Sequence, residues 1–292
     1  MASAADLIAA AMPELSSWIG RRQVIEDEIA LTTVRRIAAM LDLEPDRFEA
    51  GSELPPHWFS LFFHNNARQS DIGRDGHPKK GLFLPPIPLP RRMGAGRRAR
   101  IVGRLRAGEP ARRVAEVTAI TPKLARTGAL VLLTLRHSIE SGGRTIAVED
   151  VDAVYREGLA TGQTNALPEP VRAPAPAAWS RTYELDAALV FRYSALTWNA
   201  HRIHYDADYA RGEEGYPRAV ENGGLTLQLI IDAALPHLAG RLTGYRARLT
   251  RPLWVGDRVT AAGAAPREGW MSCWGVDQDG YQCAVVDLEY GA

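Results

Sequence analysis

The sequence predicts an α+β protein in which one unit, a helix laid against a long antiparallel sheet, occurs twice in tandem. Two observations predict it. The first is an internal repeat. Arg98-Ala99-Arg100-Ile101, followed by Leu105, Gly108 and Glu109, returns as Arg246-Ala247-Arg248-Leu249 with Leu253, Gly256 and Asp257, every pair 148 residues apart. Ala147 to Asp152 (AVEDVD) then returns as Ala284 to Glu289 (AVVDLE), 137 residues apart. Matches that keep their order at half-chain spacing mark a duplicated unit. The 11-residue difference between the offsets is expected in a longer hairpin loop of the first half, around Thr121 to Gly128. The second observation is the proline-rich stretch Asn165 to Ala178, NALPEPVRAPAPAA. Such a segment favours an extended connector, and it divides an N-terminal domain over 1–164 from a C-terminal domain over 179–292.

In the first half, strand patterns fall near Ala99 to Val102, Arg112 to Ile120, Leu130 to Ile139 and Arg144 to Tyr155. The helix that should precede them is eroded into the proline-rich run Leu82 to Met93, because each proline removes an N–H donor and obstructs the preceding turn. The second half opens with a short strand around Thr182 to Leu185 and a loop-rich stretch to about Ala210. LTLQLIIDAALPHL, Leu225 to Leu238, then carries apolar residues at helical spacing; Asn222-Gly223-Gly224 introduces it and Pro236 limits it. Four strands follow, Tyr245 to Leu249, Asp257 to Ala264, Trp270 to Val276 and Gln282 to Tyr290, the last two joined by the hairpin signal Asp279-Gly280. One helix against one long antiparallel sheet, twice over, suits a double hotdog.

Composition excludes several classes. Hydrophobic residues make up 46% and charged residues 24% of 292, the balance of an ordinary globular chain rather than a disordered or fibrous one. Lys+Arg is 35 against Asp+Glu 34, so no basic excess points to nucleic acid or an anionic membrane surface. Cys273 and Cys283 are too few for a disulfide framework or a zinc site and are expected as buried thiols. The longest apolar stretches, such as Ala129 to Leu135, fall far short of the ~20 residues of a membrane helix. MASAADLIAAAM carries Asp6 and no basic segment, so no secretory signal is expected in it, and a cytoplasmic protein is expected.

Chemistry concentrates between Phe191 and Tyr209, FRYSALTWNAHRIHYDADY. Asn199, His201 and His204 lie within six residues, with Tyr205, Asp206 and Asp208 behind them. Histidine exchanges a proton near neutrality, so the cluster suits general acid–base work. Two other readings stand beside it: metal ligation by His201 and His204 with Asp206 or Asp208, and a purely structural role. His57, His64, His77, His137 and His237 are expected to be structural.

This segment resembles the active-site loop of the MaoC-like, or hydratase 2, branch of the hotdog superfamily, in which an Asp or Asn precedes the catalytic His by five residues. Asn199 and His204 keep that spacing, Glu221-Asn222-Gly223-Gly224-Leu225 stands at the family's turn into its helix, and Pro252-Leu253-Trp254-Val255-Gly256-Asp257 is similar to the P-x-x-x-G-D that opens a strand. Asp75-Gly76-His77-Pro78, Leu84-Pro85-Pro86 and Leu89-Pro90-Arg91-Arg92-Met93 resemble the first domain of two-hotdog hydratases. Those are the enzymes of the mesaconyl-C4-CoA, itaconyl-CoA and mitochondrial type 2 hydroxyacyl-thioester kinds. One departure matters: Asn199 stands where many members have Asp, and His201-Arg202 where they have Asn-Pro. An amide accepts no proton, so either His204 works alone while Asn199 orients water, the preferred reading, or Asp206 substitutes.

The resemblance implies reversible addition of water to an α,β-unsaturated acyl-CoA, with a C5-dicarboxylyl-CoA such as mesaconyl- or itaconyl-CoA expected. It implies His204 as base, Asn199 on the water, and the Gly223 and Gly224 N–H groups at a helix N-terminus as oxyanion donors, although the glycines also suit a plain tight turn. On that basis Gly223→Val should keep the fold and lose turnover. Arg91, Arg92 and Arg251 are candidates for CoA phosphates, Arg202 or Arg218 for a free carboxylate, and Trp198 for the acyl wall or for core packing. No metal or resident cofactor is expected, CoA entering with the substrate. The protein should be a monomer or homodimer. A 3-hydroxyacyl-thioester dehydratase of fatty acid or polyketide metabolism, a hotdog thioesterase and a non-catalytic acyl-thioester binder are the alternatives.

Overall fold

The computed structural model describes residues 3–125, 128–160 and 162–291. Its strands are β1 (Arg22–Asp27), β2 (Arg91–Ile101), β3 (Ala111–Ala125), β4 (Gly128–Ser141), β5 (Arg144–Arg156), β6 (Trp179–Glu184), β7 (Arg241–Leu249), β8 (Arg258–Gly263), β9 (Trp270–Asp277) and β10 (Gln282–Gly291). They form one antiparallel sheet in the order β1-β3-β4-β5-β2-β7-β10-β9-β8-β6. The order reads identically outward from the central β2–β7 pair. That pair sets Arg98 opposite Arg246, the equivalent residues of the sequence repeat, so a pseudo-two-fold axis passes between them. The halves therefore join edge to edge through their repeated segments, leaving only β1 and β6 as edges of the double hotdog.

The extra length in the first half is not a loop. β3 and β4 stay paired from Ala111↔Ser141 to Ala125↔Gly128, so the expected loop at Thr121 to Gly128 is mostly strand, and the tip itself, 126–127, lies outside the described residues. The insertion lengthens a hairpin to strands of 15 and 14 residues, against 6 and 8 for β8 and β9.

Five α-helices are described: α1 (Ala4–Ser16), α2 (Leu31–Met40), α3 (Ala187–Leu196), α4 (Ala207–Gly212) and α5 (Gly223–Ala234). α5 is the central helix of the second half, packed on β8, β9 and β10. It ends two residues before Pro236, which sits in a 3₁₀ turn over Leu235–His237. Between α2 and β2 the described residues hold only 3₁₀ turns, since Pro85, Pro86, Pro88 and Pro90 deny a helix its donors. α1 packs instead on β3 and β4, where its Ile8 and Leu15 meet Val117, Val131 and Leu133. Capping by Ser3 and Asp6 starts it. α3 occupies part of the stretch expected to be loop.

Between this satellite core and the main one, the inward face of the first half carries a polar belt. Glu149 accepts from the Tyr245 hydroxyl at 2.6 Å and from Arg97 at 3.4 Å, and lies 3.6 Å from His137. Burial alone would raise its pKa, but Arg97, His137 and Tyr245 hold it down to about 2. Cys273 and Cys283 are both fully buried and unbridged. Among the described residues no helix is long and apolar enough to cross a membrane.

Candidate active site

The chain leaves α3 through Trp198, whose φ of 50° bends it toward the interior. Asn199 then closes a local turn, its side-chain oxygen accepting the His201 N–H at 3.0 Å. A 3₁₀ turn over Arg202–His204 follows. The segment just before α5 clamps this turn: Val220 donates its N–H to the Ile203 carbonyl at 2.8 Å, and the Val220 carbonyl sits 2.9 Å from His204 Nδ1. A carbonyl only accepts, so Nδ1 carries the proton and Nε2 is left as the basic nitrogen. Burial lowers the His204 pKa, with the Val220 bond opposing it, and a half-buried neutral imidazole results. This clamp lies three residues before Gly223, the first residue of α5.

The first half supplies the other wall. Arg202 donates its backbone N–H to the Asp75 carbonyl at 2.9 Å. Gly76, at φ +89°, lies so close that a Cβ there would overlap the Ala200 carbonyl, so only glycine fits. His77 Nδ1 lies 3.0 Å from Asp75 Oδ2, and its ring packs on His201 at 4.0 Å between centroids. His201 in turn meets His204 edge-on at 5.4 Å. Burial, then the Arg92 cation, lowers His77 to about 4; burial, then His77 and His204, lowers His201 to about 2. The row is neutral at pH 7 around an ionised Asp75. His77, expected to be structural, thus stands in the site.

The metal set expected as a rival is not assembled. Asp206 caps α4 through Tyr209 N–H and pairs with Arg202 at 2.6 Å, and the exposed Asp208 pairs with Arg211. Those contacts also occupy Asp206 as a substitute for Asn199. Asp75, His77 and His201 do bring donor atoms within 4.8 Å of one another, with Asp75 and His77 already bonded to each other.

At α5, the Asn222 side chain accepts from Gly224 N–H at 3.1 Å. That donor is spent on capping, which corrects the expectation of a Gly224 oxyanion contact; the Gly223 N–H remains with the positive end of the helix dipole behind it. Both glycines are also closely packed against side chains. A Cβ on Gly223 would run into the Leu249 side chain, and one on Gly224 would lie 2.5 Å from the Tyr193 hydroxyl. A small cavity behind Gly224, bounded by Leu227, Ile231, Arg97 and Tyr245, reaches toward the polar belt.

The family model for hydroxyacyl-thioester dehydratase type 2 matches residues 57–255, more than half of the chain. The chain belongs to the hydroxyacyl-thioester dehydratase type 2 family. Mesaconyl-C(4)-CoA hydratase of Chloroflexus aurantiacus is 42% identical over 239 residues, 82% of this chain and 84% of that protein. The mitochondrial hydroxyacyl-thioester dehydratase type 2 of Schizosaccharomyces pombe is 28% identical over 120 residues, 40% of each. A MaoC-like dehydratase of Phytophthora capsici matches with a TM-score of 0.71 at 14% identity, covering 95% of this chain and 97% of that one. A Mycobacterium tuberculosis protein described as a double hotdog matches at 0.55 and 13% identity, covering 93% and 96%. At these identities the last two show the fold.

Within this member of the dehydratase type 2 family, most of the arginines nominated from sequence are engaged elsewhere. Arg91 is buried, and its Nε pairs with Glu214 at 2.7 Å; its charge is thereby neutralised away from the surface a CoA phosphate would reach, although its Nη2 has no partner among the described residues. Arg251 pairs with Asp277 and donates to the Pro168 carbonyl. Arg202 is held by Asp206 and lies over the Tyr209 ring, and Arg218 pairs with Asp257 at 2.5 Å. Trp198 is 69% exposed, so it packs no core. Sequence reasoning missed Glu221, which is buried one residue before the Asn222 cap and accepts from Thr226 N–H at 3.1 Å and its hydroxyl at 2.8 Å. Its only sequence signal is an acid directly before a helix-opening turn.

Proposed function

We propose that this protein adds water reversibly to an α,β-unsaturated acyl-CoA, with the branched C5-dicarboxylyl thioester mesaconyl-C4-CoA giving citramalyl-CoA. The observation that carries this is the clamp of His204 Nδ1 on the Val220 carbonyl, which leaves a neutral Nε2 beside the N-terminus of α5. The identity to mesaconyl-C(4)-CoA hydratase supports the choice of acyl group.

In the mechanism, Asn199 holds a water by hydrogen bonds and His204 Nε2 takes its proton as the oxygen attacks Cβ. The electron pair of the double bond moves toward the thioester, and the Gly223 N–H stabilises the enolate oxygen. The imidazolium then returns the proton to Cα, syn to the new C–O bond. No resident cofactor is needed. Residues 179–292 supply the acid–base loop and α5, residues 1–164 supply the opposing wall, and 165–178 connect them. The enzyme works in the cytoplasm as a monomer or homodimer. A thioesterase would need Asp206 or Asp208 to activate water, and both are held by arginines.

The test follows loss of conjugated thioester absorbance with crotonyl- and mesaconyl-C4-CoA, and formation of citramalyl-CoA from itaconyl-CoA. His204→Ala should lower kcat by roughly 10²-fold or more. Since burial depresses the His204 pKa, the wild-type plateau should extend below the ordinary histidine range near 6.5. Turnover of none of the three, or an unimpaired His204→Ala, refutes the reading.

A further inference from the structure

We propose that Arg92 and Tyr155 form a subsite for the free carboxylate of the substrate, which makes the enzyme select dicarboxylyl over monocarboxylyl CoA thioesters. The proposal rests on the hydratase reading above and names what that site recognises.

Of the arginines nominated from sequence, Arg92 is the one with no carboxylate partner among the described residues. It pairs with Tyr155 across the β2–β5 ladder, and Tyr155 pairs with Val131 on β4. Tyr155 and Val131 are both fully buried in the satellite core, so this register aims Arg92 inward. Its charge is felt by His77 and His201, which puts it beside the row leading to His204.

Three features suit the spot to an anion besides Asp75. Tyr155 is 1% exposed, and its hydroxyl finds no acceptor among the described residues, since its neighbour Arg92 can only donate. A buried O–H left without an acceptor is costly, as is a half-desolvated guanidinium with no carboxylate paired to it. The nearby acid, Asp75, spends both oxygens on the backbone and ring of His77, at 3.1 and 3.0 Å. Lys80, also in this neighbourhood, donates to the carbonyls of Ile87 and Leu89 and so adds positive charge without neutralising any. With the histidines neutral, Arg92 and Lys80 face a single carboxylate. The group that suits this pair is an acceptor with two oxygens and one negative charge. A carboxylate fits the guanidinium fork with one oxygen and the Tyr155 hydroxyl with the other. A CoA phosphate has the same chemistry, and the inward aim of Arg92 favours the acyl end.

The test measures kcat/KM for mesaconyl-CoA and for crotonyl-CoA, which lacks the carboxylate, in the wild type, Arg92→Gln and Tyr155→Phe, each checked for a folded thermal transition. The ratio of the two values should fall about 10- to 100-fold in Arg92→Gln, the effect of losing a hydrogen bond to a charged group. It should fall less in Tyr155→Phe, which keeps the ring and its packing, so a failure of Arg92→Gln to fold does not end the test. An unchanged ratio overturns the subsite. Equal losses on both thioesters do so too, because they assign Arg92 to the CoA phosphates. Wild-type hydration of crotonyl-CoA without mesaconyl-CoA overturns the subsite and leaves the hydratase standing; turnover of neither removes both.

Discussion

Replacing Glu221 with Gln should change how stability depends on pH. Glu221 is 3% exposed and caps α5 through Thr226. Burial pushes its carboxyl from the ordinary 4.5 up to about 8, although the Thr226 bonds pull the other way. The folded protein keeps this proton across a range in which the unfolded chain has already shed it. Stability is therefore fully present below pH 4.5 and drains as the pH rises toward 8. That window spans about 3.5 pH units, and at roughly 1.4 kcal/mol per unit the ceiling is about 5 kcal/mol. Glu221→Gln has the same shape and a carbonyl for the cap but never ionises. Urea unfolding of both proteins at pH 5 and pH 8 isolates the effect, because every other titrating group is shared. The wild type should lose several kcal/mol more than the variant between the two pH values. Parallel losses would mean that Glu221 is ionised when folded. Ionisation also places negative charge behind the Gly223 N–H, so the kcat of the wild type should decline above pH 8 more steeply than that of Glu221→Gln.

Gly223→Val should fail first in stability and not only in turnover, contrary to the expectation from sequence, since its side chain meets Leu249. Overpacking of this kind costs about 1–3 kcal/mol; a second substitution, Leu249→Ala, should recover part of the lost Tm, and an unaltered Tm in Gly223→Val alone contradicts the clash. Glu214→Ala should cost about 3–5 kcal/mol in denaturant unfolding, because it strands the Arg91 guanidinium in the interior. Arg91→Met with Glu214→Leu should cost less than Glu214→Ala alone, and the reverse order would show that the pair is solvated.

The sheet was legible because its signals are local and repeated. Alternation marks β7 to β10 one by one, and the shared Arg-Ala-Arg segments that announce the duplication are the strands that pair at the axis. Helices α1 and α3 were not legible. The first reads as Ala-rich and featureless until its Ile8 and Leu15 have β3 and β4 to pack on. The second, AALVFRYSAL, has too short an apolar period to separate from loop. The site divides in the same way. Asn199, His201 and His204 crowd into six residues and draw attention unaided. Asp75 and His77 join them only through a contact that spans more than a hundred residues. For the arginines the limit is sharper still. Arg202 and Asp206 are four apart, a pairing that helical spacing suggests, whereas Glu214 lies 123 residues from Arg91 and Asp257 lies 39 from Arg218. A cation is available to a ligand only when no carboxylate has reached it, and that is a property of tertiary contacts and not of the residue. Sequence can nominate five arginines on equal terms; folding neutralises four of them and leaves Arg92, beside a Tyr155 hydroxyl that finds no acceptor among the described residues, as the position where an incoming anion has something to gain.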